Sequence, residues 1–293
     1  MTKHLIILGD SLVDSGNTSG LLSPFGQNPF EDSKYDDGGN IKASDGPVLG
    51  EFIALEMGAS IDDAQLISVL SPALPQPVQV HNYAHAGART DDSPGFSLPL
   101  AGQLIGIGLQ EQKKVLAQRK AFYQNQSDVD VLLSCGGNDI RDVLEQTNEI
   151  QEVIDTETRS DDKQFAYSIA KPIAKNLKKT INKLLTFTDE IALAGAPPIM
   201  ETPEANDWLT NFSSDDQQSA AELITLIGKK VMVKLEKKYK DIDNVAVIDG
   251  AEIWNQLNSP SFVDSVHPDA KTSSEAAKIF FEDANAQLAS FGF

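Results

Sequence analysis

A serine near one end of this chain and a carboxylate–histidine pair near the other each stand beside turn-forming residues. Gly9-Asp10-Ser11 follows the apolar run Leu5–Leu8, and Asp264-Ser265-Val266-His267-Pro268 lies near the other end. Between them come Asn82-Tyr83-Ala84-His85-Ala86-Gly87-Ala88, Gly136-Gly137-Asn138-Asp139 and Ala196-Pro197-Pro198. Each piece alone has an ordinary reading. Gly-Asp-Ser after a strand is commonly a helix-capping turn, and Gly-Gly-Asn-Asp is common turn chemistry. Asp-x-x-His-Pro can simply start a helix. Together they supply a hydroxyl, a glycine, a side-chain amide and a His–carboxylate pair. An acyl-transfer site needs that set: a nucleophile, a base oriented by a carboxylate, and donors for an oxyanion.

The spacing at the last piece has its own logic. Pro268 disfavours helical backbone at His267 and can open the helix that follows. His267 is thereby held at a loop–helix junction. Asp264, three residues earlier, can fold back onto one ring nitrogen and leave the other for a serine proton. His4 begins the first apolar run, at the opposite end from Ser11, and is excluded as a base. His81 lies within the second run and reads as a core or edge residue. His85 is the rival base, although a lone loop histidine more commonly packs or contacts substrate.

These residues need a frame. Five short apolar runs recur: Leu5–Leu8, Val78–Val80 continuing to Tyr83, Val129–Leu133, Ile191–Ala194 and Val245–Ile248. Rich in Val, Ile and Leu and without alternation, they suit strands buried on both faces. Helical segments are expected at Pro47–Met57, Phe165–Phe187, Ser214–Lys240 and Pro268–Leu288, with Pro172 interrupting or kinking the second. Strands alternating with helices imply βαβ units, a parallel sheet and right-handed crossovers. Ligands then bind beyond the carboxyl ends of the strands, where the polar pieces fall. Two stretches are less regular. Residues 16–46 are too long for a simple connector. Residues 144–163 are acidic and read as a solvated helix plus loop, with a lid as the sharper alternative.

Composition narrows the functions. With 24 Lys and Arg against 43 Asp and Glu, the net charge is −19. That disfavours a nucleic-acid footprint or docking on an anionic membrane. The one cysteine, Cys135, excludes an intramolecular disulfide framework and a cysteine-rich zinc site. No run approaches the roughly 20 apolar residues of a membrane helix. Leu5–Leu8 is too short for a signal-peptide core, so a cytoplasmic location is expected, with a secreted form exported by another route as the alternative.

The ordered blocks ILGDSLVDSGN from Ile7, NYAHAGA from Asn82, GGND from Gly136 and DSVHP from Asp264 resemble those of the GDSL/SGNH hydrolases. The likeness is strongest to the branch of plant GDSL lipases and bacterial autotransporter esterases. SDGPVLGEFIALEMG from Ser44 and APP from Ala196 extend it over nearly the whole chain. The chain departs from that branch where the usual Gly-Arg pair before Ser44 is missing and Asp269 replaces the usual Thr. The resemblance implies one flavodoxin-like α/β/α domain over residues 1–293 with a five-stranded parallel sheet, and insertions near 16–46 and 144–163. It implies Ser11 as nucleophile, with His267 and Asp264 completing a triad. The Ser11 and Gly87 N–H groups and the Asn138 amide would form the oxyanion hole. No cofactor or metal is implied, and the partner is a small-molecule or lipid ester. The expected activity is a serine esterase or lipase working through an acyl-enzyme. An acyltransferase with the same triad and a non-catalytic binding protein on the same fold are the alternatives.

Overall fold

The computed structural model describes residues 2–22, 30, 33–37, 40–60, 77–93, 107–156 and 159–291. Five strands form one sheet: β1 (Lys3–Gly9), β2 (Val78–Asn82), β3 (Val129–Ser134), β4 (Glu190–Ala194) and β5 (Val245–Ile248). Each matches one of the five apolar runs. All four pairings are parallel, in the order β2-β1-β3-β4-β5. This is the flavodoxin-like order, and its direction reverses between β1 and β3. The carboxyl ends of those two strands flank the crevice where such sheets take their ligands.

Successive residues of β1 serve opposite layers. Leu5 and Ile7 pack with α2 (Leu49–Glu56) and α7 (Ala270–Gln287), through Ile53, Ala277 and Phe280. Ile6 and Leu8 face α3 (Leu109–Gln118), α5 (Arg159–Leu184) and α6 (Gln217–Tyr239), through Leu116, Ile173, Leu177 and Ile227. A strand that is apolar at every position is what two covered faces require.

The helices differ from expectation in instructive ways. Helix α5 begins at Arg159, well before the expected Phe165, because its first turns are polar and carry no apolar period. Pro172 lies on the exposed side of α5, and the helix runs through it. The carbonyl that the missing N–H would have engaged can there turn to water. Residues 16–46 are not all loop: α1 (Asn17–Leu22) opens them and buries Asn17, Thr18 and Ser19. Part of that insertion, and part of 144–163, lies outside the described residues. Helix α4 (Thr147–Asp155) sets Ile150, Val153 and Ile154 against the core and leaves Glu149 and Glu152 exposed, as a solvated acidic helix does. No helix among the described residues is long and apolar enough to cross a membrane.

One buried ion pair ties the first insertion to the body. Lys42 Nζ lies 3.0 and 2.8 Å from the two carboxylate oxygens of Glu51, and both side chains are fully buried. Glu51 also accepts the Val48 N–H at 2.7 Å, which satisfies a free donor at the start of α2. Replacing Lys42 with Ala removes a cation from a buried carboxylate. It should cost about 3–5 kcal/mol. Urea denaturation monitored by circular dichroism would measure this. A loss below about 1 kcal/mol, the scale of an exposed pair, would show that water reaches Glu51.

Candidate active site

Ser11 sits in the turn that leaves β1. Gly9 adopts φ +153°, and a Cβ there would stand 1.9 Å from the Ser134 carbonyl oxygen, so only glycine fits so close to β3. Gln112 of α3 pairs with both backbone groups of Gly9: its Oε1 accepts the Gly9 N–H at 2.9 Å and its amide donates to Gly9 O at 2.8 Å. The Asp10 N–H bonds Ser134 O at 3.0 Å, and Asp10 Oδ1 accepts the Leu12 N–H at 3.2 Å. Ser11 is thus fixed from both sides and remains only slightly exposed.

His267 approaches from the far end of the chain. Its Nε2 lies 2.8 Å from Ser11 Oγ, and its Nδ1 lies 2.6 Å from Asp264 Oδ2. Asp264 Oδ1 accepts the backbone N–H groups of Val266 and His267 at 2.7 and 2.6 Å, which closes the loop as a tight turn. The loop is held further by Val263 N–H on His267 O and Glu204 N–H on Ser265 O, each at 2.9 Å. Asp269, in place of the usual Thr, is the N-cap of α7 and accepts the Thr272 N–H at 2.7 Å. Its charge is directed at a helix start, where anions are favoured. Asp45, from the segment ahead of α2, accepts the Ala270 N–H at the start of α7 at 2.8 Å.

Gly87 and Asn138 stand at the ends of β2 and β3. Gly87 has φ +78°, a conformation that glycine adopts freely. The His85 N–H reaches Gly9 O at 3.1 Å, which brings the Gly87 turn against the Ser11 turn. The Asn138 amide donates one hydrogen to Ala88 O at 3.0 Å and keeps a second. Among the described residues, neither the Ser11 nor the Gly87 N–H meets an acceptor. Thr90 locks the two turns together through its N–H and hydroxyl to Asp139, at 2.9 and 2.7 Å.

His85 does not touch Ser11. It is largely buried, which lowers its pKa while the charge of Asp14 acts the other way, and its Nδ1 has no partner among the described residues. His81 of β2, level with Ile6, stacks on His4 near the start of β1, with ring centroids 5.3 Å apart. The buried network of Asp14, Asn17 and Asn82 went unassigned in the sequence. Asn17 Nδ2 donates to Ala84 O at 2.9 Å, Asn82 Nδ2 to Val13 O at 2.7 Å, and Asp14 Oδ2 accepts the Ala86 N–H at 2.8 Å. Their presence inside the GDSL and NYAHAGA blocks was the available signal. Beside Gly136, a cavity of about 300 Å³ opens between the ends of β3 and β4 and helices α5 and α6. Ile140, Ile173, Leu193, Met200 and Met232 line it.

The family described as GDSL-like Lipase/Acylhydrolase matches residues 5–280, and the chain belongs to it. Among solved structures it is similar to the lipase Lip_vut3 from a goat rumen metagenome, at 15% identity and TM-score 0.53, over 98% of this chain and 99% of that one. It is also similar to a catalytic mutant of an acetylxylan esterase from Geobacillus stearothermophilus, at 12% identity and TM-score 0.48 over 99% of each chain. A third is phospholipase A1 from Streptomyces albidoflavus NA297, at 14% identity and TM-score 0.47, over 98% of this chain and 100% of that one. At these identities the likeness is one of fold. No curated protein sequence matches the chain.

The carboxylates around the site divide by environment. Burial pushes Asp10 up to about 7, with the charge of Asp139 adding to it and the Leu12 N–H opposing. Asp139 is raised to about 6, again by burial, against its bonds from Thr90. Burial acts on Asp264 in the same direction. There the His267 ring and backbone N–H and the Tyr35 hydroxyl outweigh it and hold the carboxyl well below the usual range. Between about pH 4 and 7 the folded chain therefore keeps a proton on Asp10 that the unfolded chain has lost. Stability should fall as pH rises through that window. Asp10→Asn removes this dependence but can keep the Leu12 bond. Relative to wild type, the variant should gain on the order of a few kcal/mol between pH 4 and 7.5. Thermal melts across that range would test it; a constant difference in Tm would contradict a protonated Asp10.

Proposed function

We propose that this hydrolase is a serine esterase acting on carboxylic esters through an acyl-enzyme. The observation that carries the reading is the unbroken chain from Ser11 Oγ to His267 Nε2 to Asp264 Oδ2, at 2.8 and 2.6 Å. Ser11 Oγ attacks the ester carbonyl while His267 Nε2 takes its proton. Asp264 fixes the Nδ1–H tautomer and stabilises the imidazolium. The negative charge then on the carbonyl oxygen falls to the Ser11 and Gly87 N–H groups and the second hydrogen of the Asn138 amide. When the intermediate collapses, the alcohol leaves with the proton from His267, and the acyl group stays on Ser11. Water then attacks the acyl carbon as His267 takes its proton, and on collapse His267 returns that proton to the departing Ser11 Oγ, releasing the acid and the free enzyme.

Steady-state kinetics on p-nitrophenyl acetate and octanoate test this. Ser11→Ala and His267→Ala should each abolish most turnover with the fold intact, since such groups act as a unit. Asn138→Ala should lower kcat by about 10²–10³ and change KM less. His85→Ala should affect KM only, with either ester. A dead His85→Ala beside an active His267→Ala would assign the base to His85. Full activity in Ser11→Ala would remove the nucleophile from the scheme.

A further inference from the structure

The insertion after β1 reaches back to the Asp264–His267 loop. Tyr35, in a 3-10 turn at Ser33–Tyr35, donates its hydroxyl hydrogen to Asp264 Oδ2 at 2.7 Å. That is the same oxygen that accepts from His267 Nδ1 at 2.6 Å. A carboxylate offers about four acceptor sites on its two oxygens. In Asp264 the Val266 and His267 N–H groups fill two, the His267 ring a third, and Tyr35 the fourth. Phe30 completes the cover: its ring meets Tyr35 edge-on at 5.4 Å and His267 edge-on at 6.4 Å.

We propose that Tyr35 is a positioning residue for the Ser11–His267–Asp264 chain, fixing the Asp264 carboxylate in the orientation that meets His267 and drawing charge from Oδ2. The proposal rests on the reading of that chain as catalytic. Removing the hydroxyl has two consequences. The carboxylate gains freedom to turn away from the ring, which slows the step that needs an oriented base. While it is engaged, more of its charge falls on His267, which favours the imidazolium.

Other charged groups near the loop are already committed. Asp45 engages the Ala270 N–H, and Asp269 engages the Thr272 N–H and the Ser261 hydroxyl. The Glu204 carboxylate is held by Arg141 at 2.6 and 2.5 Å. Lys271 lies 4.0 Å from Glu275, one turn along α7. Lys34 lies over the Tyr35 ring, 4.9 Å from its centroid, and Asp10 precedes Ser11 on the other side of the chain. Tyr35→Phe removes one oxygen and leaves the ring contacts with Phe30 and Lys34, so it isolates the hydroxyl.

Four proteins suffice: wild type, Tyr35→Phe, Asp264→Ala and the double variant. Each is assayed for p-nitrophenyl ester hydrolysis across pH and for the rate of Ser11 labelling by a fluorophosphonate. Tyr35→Phe should lower kcat about 3- to 10-fold, the scale of one hydrogen bond, and slow labelling, with KM nearly unchanged. The midpoint of its kcat/KM–pH profile should move up by roughly half a unit. In the Asp264→Ala background the same change should add nothing, because the two act through one bond. Wild-type kcat and pH midpoint in Tyr35→Phe, or an equal loss in both backgrounds, would overturn the role of Tyr35 while the esterase reading stood. A wild type whose Ser11 is never labelled would overturn both.

Discussion

A hydrogen bond of 2.8 Å joins Ser11 Oγ to His267 Nε2 across 256 residues of chain. Such a bond tolerates errors of only a few tenths of an ångström, and general-base chemistry needs that geometry before it needs any pKa. Both partners are therefore fixed by groups outside their own loops. On the serine side, Gly9 presses against the Ser134 carbonyl, and Gln112 holds both backbone groups of Gly9. On the histidine side, the Asp264 turn, the Asp45 bond to Ala270 N–H and the Glu204 N–H set the loop. The sheet supplies the distance between them. Parallel register puts the ends of β1, β2 and β3 at one edge, so Ser11, Gly87 and Asn138 leave it side by side.

Electrostatics sort carboxylates that differ little in type. Asp10 and Asp264 both lie within reach of Ser11 or its base, and burial pushes both toward the neutral form. Four donors hold Asp264 ionised; Asp10 has far less help and retains its proton up to about 7. In the proposed mechanism, a protonated Asp10 adds no negative charge beside a serine whose attack would create an oxyanion. An ionised Asp264 would favour the imidazolium of the same proposed step. Opposite environments thus assign opposite roles.

Much of this was legible in the residues, for identifiable reasons. Strands covered on both faces must be apolar throughout, so Leu5–Leu8 and Val129–Leu133 announced themselves. Ser11, Gly87, Asn138, Asp264 and His267 each fall at the end of a strand or the start of α7, where the sequence reading placed them. What stayed hidden is long-range polar pairing. Gln112 on Gly9, Lys42 on Glu51 and Tyr35 on Asp264 have no local signature, because one glutamine, lysine or tyrosine in a polar stretch looks like any other. Helix α5 hid its first turns for a related reason: they face solvent, and solvent imposes no apolar period.

Trapping the covalent intermediate tests the account at its centre. The protein is mixed with a p-nitrophenyl ester, quenched in acid within the first turnovers, digested and sequenced by tandem mass spectrometry. The account predicts one acyl group, on Ser11 Oγ, appearing with the initial burst of p-nitrophenol and decaying as hydrolysis proceeds. An acyl group on another residue, or unmodified Ser11 in protein that turns the ester over by an acyl-enzyme, would contradict it.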